Sequence, residues 1–177
     1  PESNGAVHAN VVELEPGHLA AFMRSRAADH IYRSESMDNG DTWTAPVPTV
    51  LPNNNSSISA VKLKSGRIAV AYNPTCTPCP TPGVASWPGL RCPDGGLTFP
   101  MIRYMERGEG YMGAENKTNN RQYEYPYIMQ GADGRLHLAF AYKDRLSVKY
   151  MSFTEEDVMG KKRETVGLYN PTSAKVR

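Results

Sequence analysis

The stretch SMDNGDTW, residues 36–43, crowds Asp38, Asn39, Gly40 and Asp41 ahead of Thr42 and Trp43. It could be a cation-binding loop, a hairpin turn or a piece of an active site. An EF-hand loop needs further ligating oxygens and a glutamate at its twelfth position, where Val47 or Pro48 falls here. A turn fits better. Asp38 can accept from backbone amides two residues on, Gly40 can take a positive φ, and Trp43 can plug the turn against its own sheet.

HIYRSES at 30–36 leads into this turn and TWTAPVPTVL at 42–51 leads out of it, which reads as a pair of strands. Beyond the pair, three segments repeat one another: HANVVELEPGHLAAFMR at 8–24, SISAVKLKSGRIAVAYN at 57–73 and YPYIMQGADGRLHLAFA at 125–141. Each is an apolar strand, a short turn carrying Gly17, Gly66 or Gly134, and a second apolar strand. A hairpin repeated at such spacing implies a β-propeller, whose blades are four-stranded sheets. Short apolar runs broken by Gly, Asn, Asp and Pro continue along the chain, and no helical period persists before about residue 154, so the chain reads as all-β. CPDGGLTFP at 92–100 is a degenerate copy of the first turn, with Asp94, Gly96, Thr98 and Phe99 at matching spacing. RLSVKYMSF at 145–153 reads as a further strand. Thr154 is a candidate helix cap ahead of Glu155 and Glu156, and 154–177 reads as a tail or closing segment.

The 177 residues suffice for one domain or part of a larger one, and 40% apolar content with Gly 15 and Pro 14 describes a turn-rich globular protein. A formal charge of +2 gives no reason to expect a nucleic-acid partner. No apolar run is long enough to span a membrane, and the first residues lack the blocks of a signal peptide. Cys76, Cys79 and Cys92 share a proline-rich stretch. The C-x-x-C pair lacks the fourth ligand a zinc site needs, which leaves one local disulfide or three unpaired thiols, and no metal or cofactor is expected.

Residues 36–43 spell S-x-D-x-G-x-T-W, the Asp box of the sialidase superfamily, and VHANVVELEPGHLAAFMR at 7–24 resembles the family's N-E-x-x-V-V-E-L-x-D-G-R-L-x-x-x-x-R pattern through Val11, Val12, Glu13, Leu14, Gly17, Leu19 and Arg24. The resemblance covers most of residues 5–153 and implies a partial six-bladed sialidase-like propeller, with about three to four blades of BNR-repeat type within 1–153. In that family the box lies on the rim, away from the catalytic mouth. A propeller of this kind needs more blades than this chain carries, so the remaining blades, from an N-terminal part of the same protein or another chain, are expected partners that cover its edge strands.

If the first repeat turns about position 16, His8 and Arg24 are cross-strand neighbours at its open end; the same arithmetic pairs Ser57 with Asn73 and Tyr125 with Ala141. In a propeller such ends gather at one mouth. Arg24 matches one of the arginines with which sialidases grip a sugar carboxylate, a role suited to the guanidinium fork, although it also fits a surface arginine beside Arg26. Arg91 holds the place of a second, with less chain before the following box than the family has. Tyr125, nine residues before Gly134, has the spacing of the sialidase nucleophile, while Tyr123 and Tyr127 compete for the label. A phenol needs a base to attack. The family uses a glutamate where this chain has His8, so His8 substitutes, Glu124 serves, or the chemistry differs. Ser57 and Asn73 join Arg24 and Arg91 as substrate contacts.

The resemblance implies a retaining glycoside hydrolase acting on a terminal acidic sugar of a glycan, with its acid/base aspartate and first arginine outside these residues. A hydrolase or lyase for another sugar, and a non-catalytic carbohydrate-binding propeller, remain open readings. Asn54, Asn55 and Asn116 fit the glycosylation pattern, which matters only for an exported protein, the location that the resemblance suggests.

Overall fold

The structure, a computed structural model, describes residues 2–73, 87–88, 95–99, 102–103, 105, 123–142 and 145–159. The first sheet is four-stranded and antiparallel in the order β1 (Ala6–Glu15), β2 (His18–Ser25), β3 (His30–Ser36), β4 (Val47–Pro52). The second region pairs β5 (Ser59–Lys62) with β6 (Ile68–Ala71) and β7 (Trp87–Pro88) with β8 (Ile102–Arg103). The last sheet orders β11 (Ser147–Phe153), β10 (Leu136–Tyr142), β9 (Tyr123–Gln130). Each expected hairpin is present, and the four sheets stand as three successive blades of a partial propeller, the two two-stranded pairs making up the second.

Alternation along the strands builds the seams between blades. Val12, Ala20, Phe22, Ile31 and Leu51 of the first blade meet Ile58, Ile68, Val70, Tyr72 and Phe99 of the second. From the other face of the second blade, Leu63, Ala69 and Ala71 pack against Ile128, Leu136, Leu138, Phe140 and Met151 of the third. Strand β6 is buried on both faces because it lies between two blades, which is why its sequence IAVA carries no polar alternation.

The first strands of the three hairpins run side by side along the inner edge, tied by side chains rather than by a continuous ladder. The Asn10 amide donates to the Ile58 carbonyl at 3.1 Å, and its oxygen accepts from the Ala60 N–H at 3.4 Å. The Ile128 N–H donates to Ser59 Oγ at 3.2 Å. The three hairpin turns gather at one end: Lys62 donates to the Leu14 carbonyl, and Lys64 Nζ donates to the carbonyls of Gly131 and Ala132 at 3.1 and 2.7 Å. Their open ends therefore share the opposite end.

The Asp-box turn joins β3 to β4 at the hairpin-turn end, where the Asn39 N–H donates to the Gly17 carbonyl at 3.0 Å. Asp38 Oδ1 accepts from Ser36 Oγ and the Thr42 N–H at 2.7 and 2.9 Å, its Oδ2 accepts from Thr42 Oγ1 at 2.5 Å, and Trp43 Nε1 donates to the Gly40 carbonyl at 2.9 Å. Asn39 and Gly40 take the positive φ the turn requires, 58° and 97°. Every carboxylate bond in this set stays inside the turn, so the box is structural, and it lies at the far end from His8 and Arg24.

The degenerate copy is described only from Gly95 to Phe99, between β7 and β8 as the intact box lies between β3 and β4. This loop presses on the first blade: Arg33 Nε donates to the Gly95 carbonyl at 2.9 Å, and the Phe99 ring meets Phe22 edge-on at 6.3 Å. Thr154 caps α1 (Glu155–Val158) with a reciprocal capping box to Asp157. Glu155 then pairs with Arg67 at 2.9 Å, docking the helix on the β5–β6 turn. No helix among the described residues is long and apolar enough to cross a membrane.

Candidate functional site

The open ends of β1 and β9 share an irregularity that the sequence arithmetic missed. Along β1 and β2 the pairing Asn10↔Phe22, Val11↔Ala21, Val12↔Ala20 obeys a turn centred on position 16, but past a bulge it becomes Val7↔Arg24. Along β9 and β10 the pairing Leu138↔Ile128, Ala139↔Tyr127 obeys a centre at 133, then shifts to Ala141↔Glu124. The direct pairings expected for His8 with Arg24 and for Tyr125 with Ala141 are therefore corrected by one residue. In each strand the displaced residue takes a left-handed backbone, φ 55° at His8 and 50° at Tyr125. Bulges of this kind turn a side chain out of the regular alternation. In β9 the cause is visible, since Pro126 has no N–H to give the ladder.

The structure still brings His8 and Arg24 together, with Arg24 Nη2 3.4 Å from His8 Nε2. Arg24 can only donate, so His8 Nε2 accepts and the imidazole proton resides on Nδ1 in this arrangement. Arg24 Nη1 donates to the Asn55 carbonyl at 2.7 Å, which ties the first blade to the loop entering the second. Its Nε is buried without a partner among the described residues. A half-buried guanidinium with donors still to satisfy is suited to an oxyanion.

Tyr125 is 53% exposed, and its hydroxyl accepts from Arg145 Nη2 at 3.0 Å. Arg145 also lies over the Tyr125 ring, 5.0 Å from its centroid, and donates to Glu124 from Nε at 2.5 Å and from Nη2 at 3.3 Å. Both carboxylate oxygens of Glu124 are thus engaged. Arg145, in the turn between β10 and β11 after AYKD, carries no motif and was missed from sequence; only its nearness to the open end of β9 in a hairpin reading could have flagged it. Tyr123 points inward, stacked with Tyr142 at 5.6 Å, which removes it as a competitor for the nucleophile's place. Tyr127 is exposed on the outer face of the third blade.

Asn73 requires a correction. It is 5% exposed, and its amide donates to the Tyr123 carbonyl at 2.8 Å, so it seals the second blade to the third instead of facing a ligand. Its neighbour Tyr72 faces the opposite seam, and strand alternation turns Asn73 the other way. Ser57 is half-buried and precedes β5, outside the ladder that begins at Ser59. Arg91, the three cysteines, Asp94 and Asn116 lie outside the described residues.

The BNR repeat-like domain matches residues 1–138. The NanB sialidase from Streptococcus pneumoniae superposes with a TM-score of 0.64 at 18% identity, over 86% of this chain and 24% of its own. The intramolecular trans-sialidase from Ruminococcus gnavus gives 0.64 at 17% identity over 86% and 33%, and the Hadza microbial sialidase Hz136 gives 0.64 at 18% over 87% and 28%. The chain thus spans between 24% and 33% of the length of these three proteins. No curated protein matches in sequence. At these identities the likeness establishes the fold, and the domain match, over residues 1–138, shows that the chain belongs to the BNR repeat-like family.

Proposed function

We infer that this chain supplies part of the active site of a sialidase-like glycoside hydrolase that removes a terminal acidic sugar from glycans with retention of configuration. The observation that carries the reading is the shared open end, where Arg24 stands beside His8 and where Tyr125 repeats the left-handed bulge of His8. Arg24 binds the sugar carboxylate through its guanidinium, joined by Arg91. Tyr125 Oη attacks the anomeric carbon while an acid from the remaining blades protonates the departing glycosidic oxygen. The phenolic proton passes to His8 Nε2, which Arg24 releases as its guanidinium takes the sugar carboxylate, since both oxygens of Glu124 are held by Arg145. Water then cleaves the tyrosyl–sugar bond, returning the phenol. The remaining blades pack on the outer face of β9–β11, where Tyr127, Met129, Val148 and Tyr150 are exposed.

Turnover of a fluorogenic sialoside by the full-length protein tests this, with Tyr125→Phe and Arg24→Ala beside it. Loss of turnover in both variants is expected; turnover surviving both removes the site. A histidine where the family has glutamate favours one other reading, a hydrolase or lyase for a different sugar, which activity on a non-sialoside alone would support.

A further inference from the structure

We propose that Arg145 is a positioning residue for Tyr125: it sets the phenol's direction at the bulge and holds the charge that gathers on Oη during attack. The proposal rests on the reading of Tyr125 as nucleophile. Tyr125 is followed by Pro126 and adopts φ 50°, a backbone that a large side chain rarely takes unless its surroundings hold it. Arg145 supplies that hold at three points, with Nη2 on the hydroxyl at 3.0 Å, the guanidinium over the ring at 5.0 Å, and Nε on Glu124 at 2.5 Å. Arg145 itself has φ 67°, so two left-handed residues, one at the bulge of β9 and one in the turn between β10 and β11, meet at one contact. Because Arg145 donates to Oη, the phenol's own proton is directed elsewhere and is available to a base. The Oη lone pair that accepts from Nη2 keeps that hydrogen bond as negative charge develops, and again when the phenolate leaves in the second step. Glu124 holds the guanidinium in turn, which makes it a support and not the base. Lysine cannot replace this fork, since one ammonium cannot span carboxylate and phenol in the same plane.

The test uses the full-length protein and has two readings. Nitration by tetranitromethane, mapped by peptide mass spectrometry, compares Tyr125 with Tyr127, the more exposed at 66% against 53%. In the wild type Tyr125 reacts more slowly than Tyr127; in Arg145→Ala and Arg145→Lys it speeds up several-fold while Tyr127 is unchanged, which also reports an intact fold. On a sialoside, kcat falls about 10- to 100-fold in both variants while KM stays within about twofold. Equal nitration of Tyr125 in wild type and variants overturns the proposal, as does altered nitration with kcat unchanged in an active enzyme. A wild type without sialoside turnover removes the sialidase reading instead, and the nitration result then decides whether Arg145 holds Tyr125.

Discussion

His8 and Tyr125 occupy the same position in two different blades: each takes a left-handed backbone, at φ 55° and 50°, and each shifts its ladder by one residue at the open end of its hairpin. A non-glycine residue in that conformation costs about 1 kcal/mol or more, which persists where the surroundings over-determine it. His8→Gly is expected to keep or raise stability by up to about 1 kcal/mol in urea unfolding, and His8→Val to lower it by about 1–2 kcal/mol, because a β-branched residue resists positive φ. Equal midpoints for the two variants would show that the bulge is not strained.

The contact between the degenerate box and the first blade gives a sharper stability prediction. A Cβ on Gly96 would fall 2.3 Å from Phe22 Cζ and 2.8 Å from its Cε1, on a ring fully buried in the seam. Gly96→Ala should therefore destabilise by about 2–4 kcal/mol, combining overpacking with a φ of 91°. Gly66→Ala meets nothing within 4 Å and carries only the strain of φ 80°, about 1 kcal/mol. Thermal or urea melts that rank the two the other way would mean that this loop does not rest on Phe22.

Asp38 gives the fold a specific acid sensitivity. The Thr42 hydroxyl, then the Thr42 N–H and the Ser36 hydroxyl, stabilise its charged form and lower its pKa from the usual 3.8 to about 2. Its folded value lies below its unfolded one, so its stabilisation is fully present above about pH 4 and disappears as the pH falls toward 2. The stability gap between wild type and Asp38→Asn should narrow across that window, and a gap constant from pH 5 to 2 would contradict the turn geometry.

Asn73→Ala should lower stability by about 1–3 kcal/mol, because it leaves the buried Tyr123 carbonyl without its donor, while the KM for a sialoside stays close to wild type. A raised KM with unchanged stability would restore Asn73 to the mouth.

Much of this architecture could be read from residues alone. The three hairpins were legible because each carries its glycine at the turn between two apolar runs, and the DNGD turn because Ser36, Asp38, Gly40, Thr42 and Trp43 each have one local bonding task. The site was only partly legible. Arg24 beside His8 follows from counting along a hairpin, but the bulge at His8 has no local mark, since nothing in V-H-A-N demands a positive φ. Its counterpart at Tyr125 did have one, Pro126 within a strand. Asn73 and Arg145 depended on tertiary packing: the side of β6 that meets the third blade, and the turn that folds back over β9.

The most direct test of the account is covalent trapping on the full-length protein. A sialyl fluoride bearing a second fluorine on the neighbouring ring carbon slows breakdown of a glycosyl–enzyme bond, and peptide mass mapping then locates the sugar. The label is expected on Tyr125. Sialoside hydrolysis with the label on Glu124, His8 or Tyr127, or with no label at all, would contradict it.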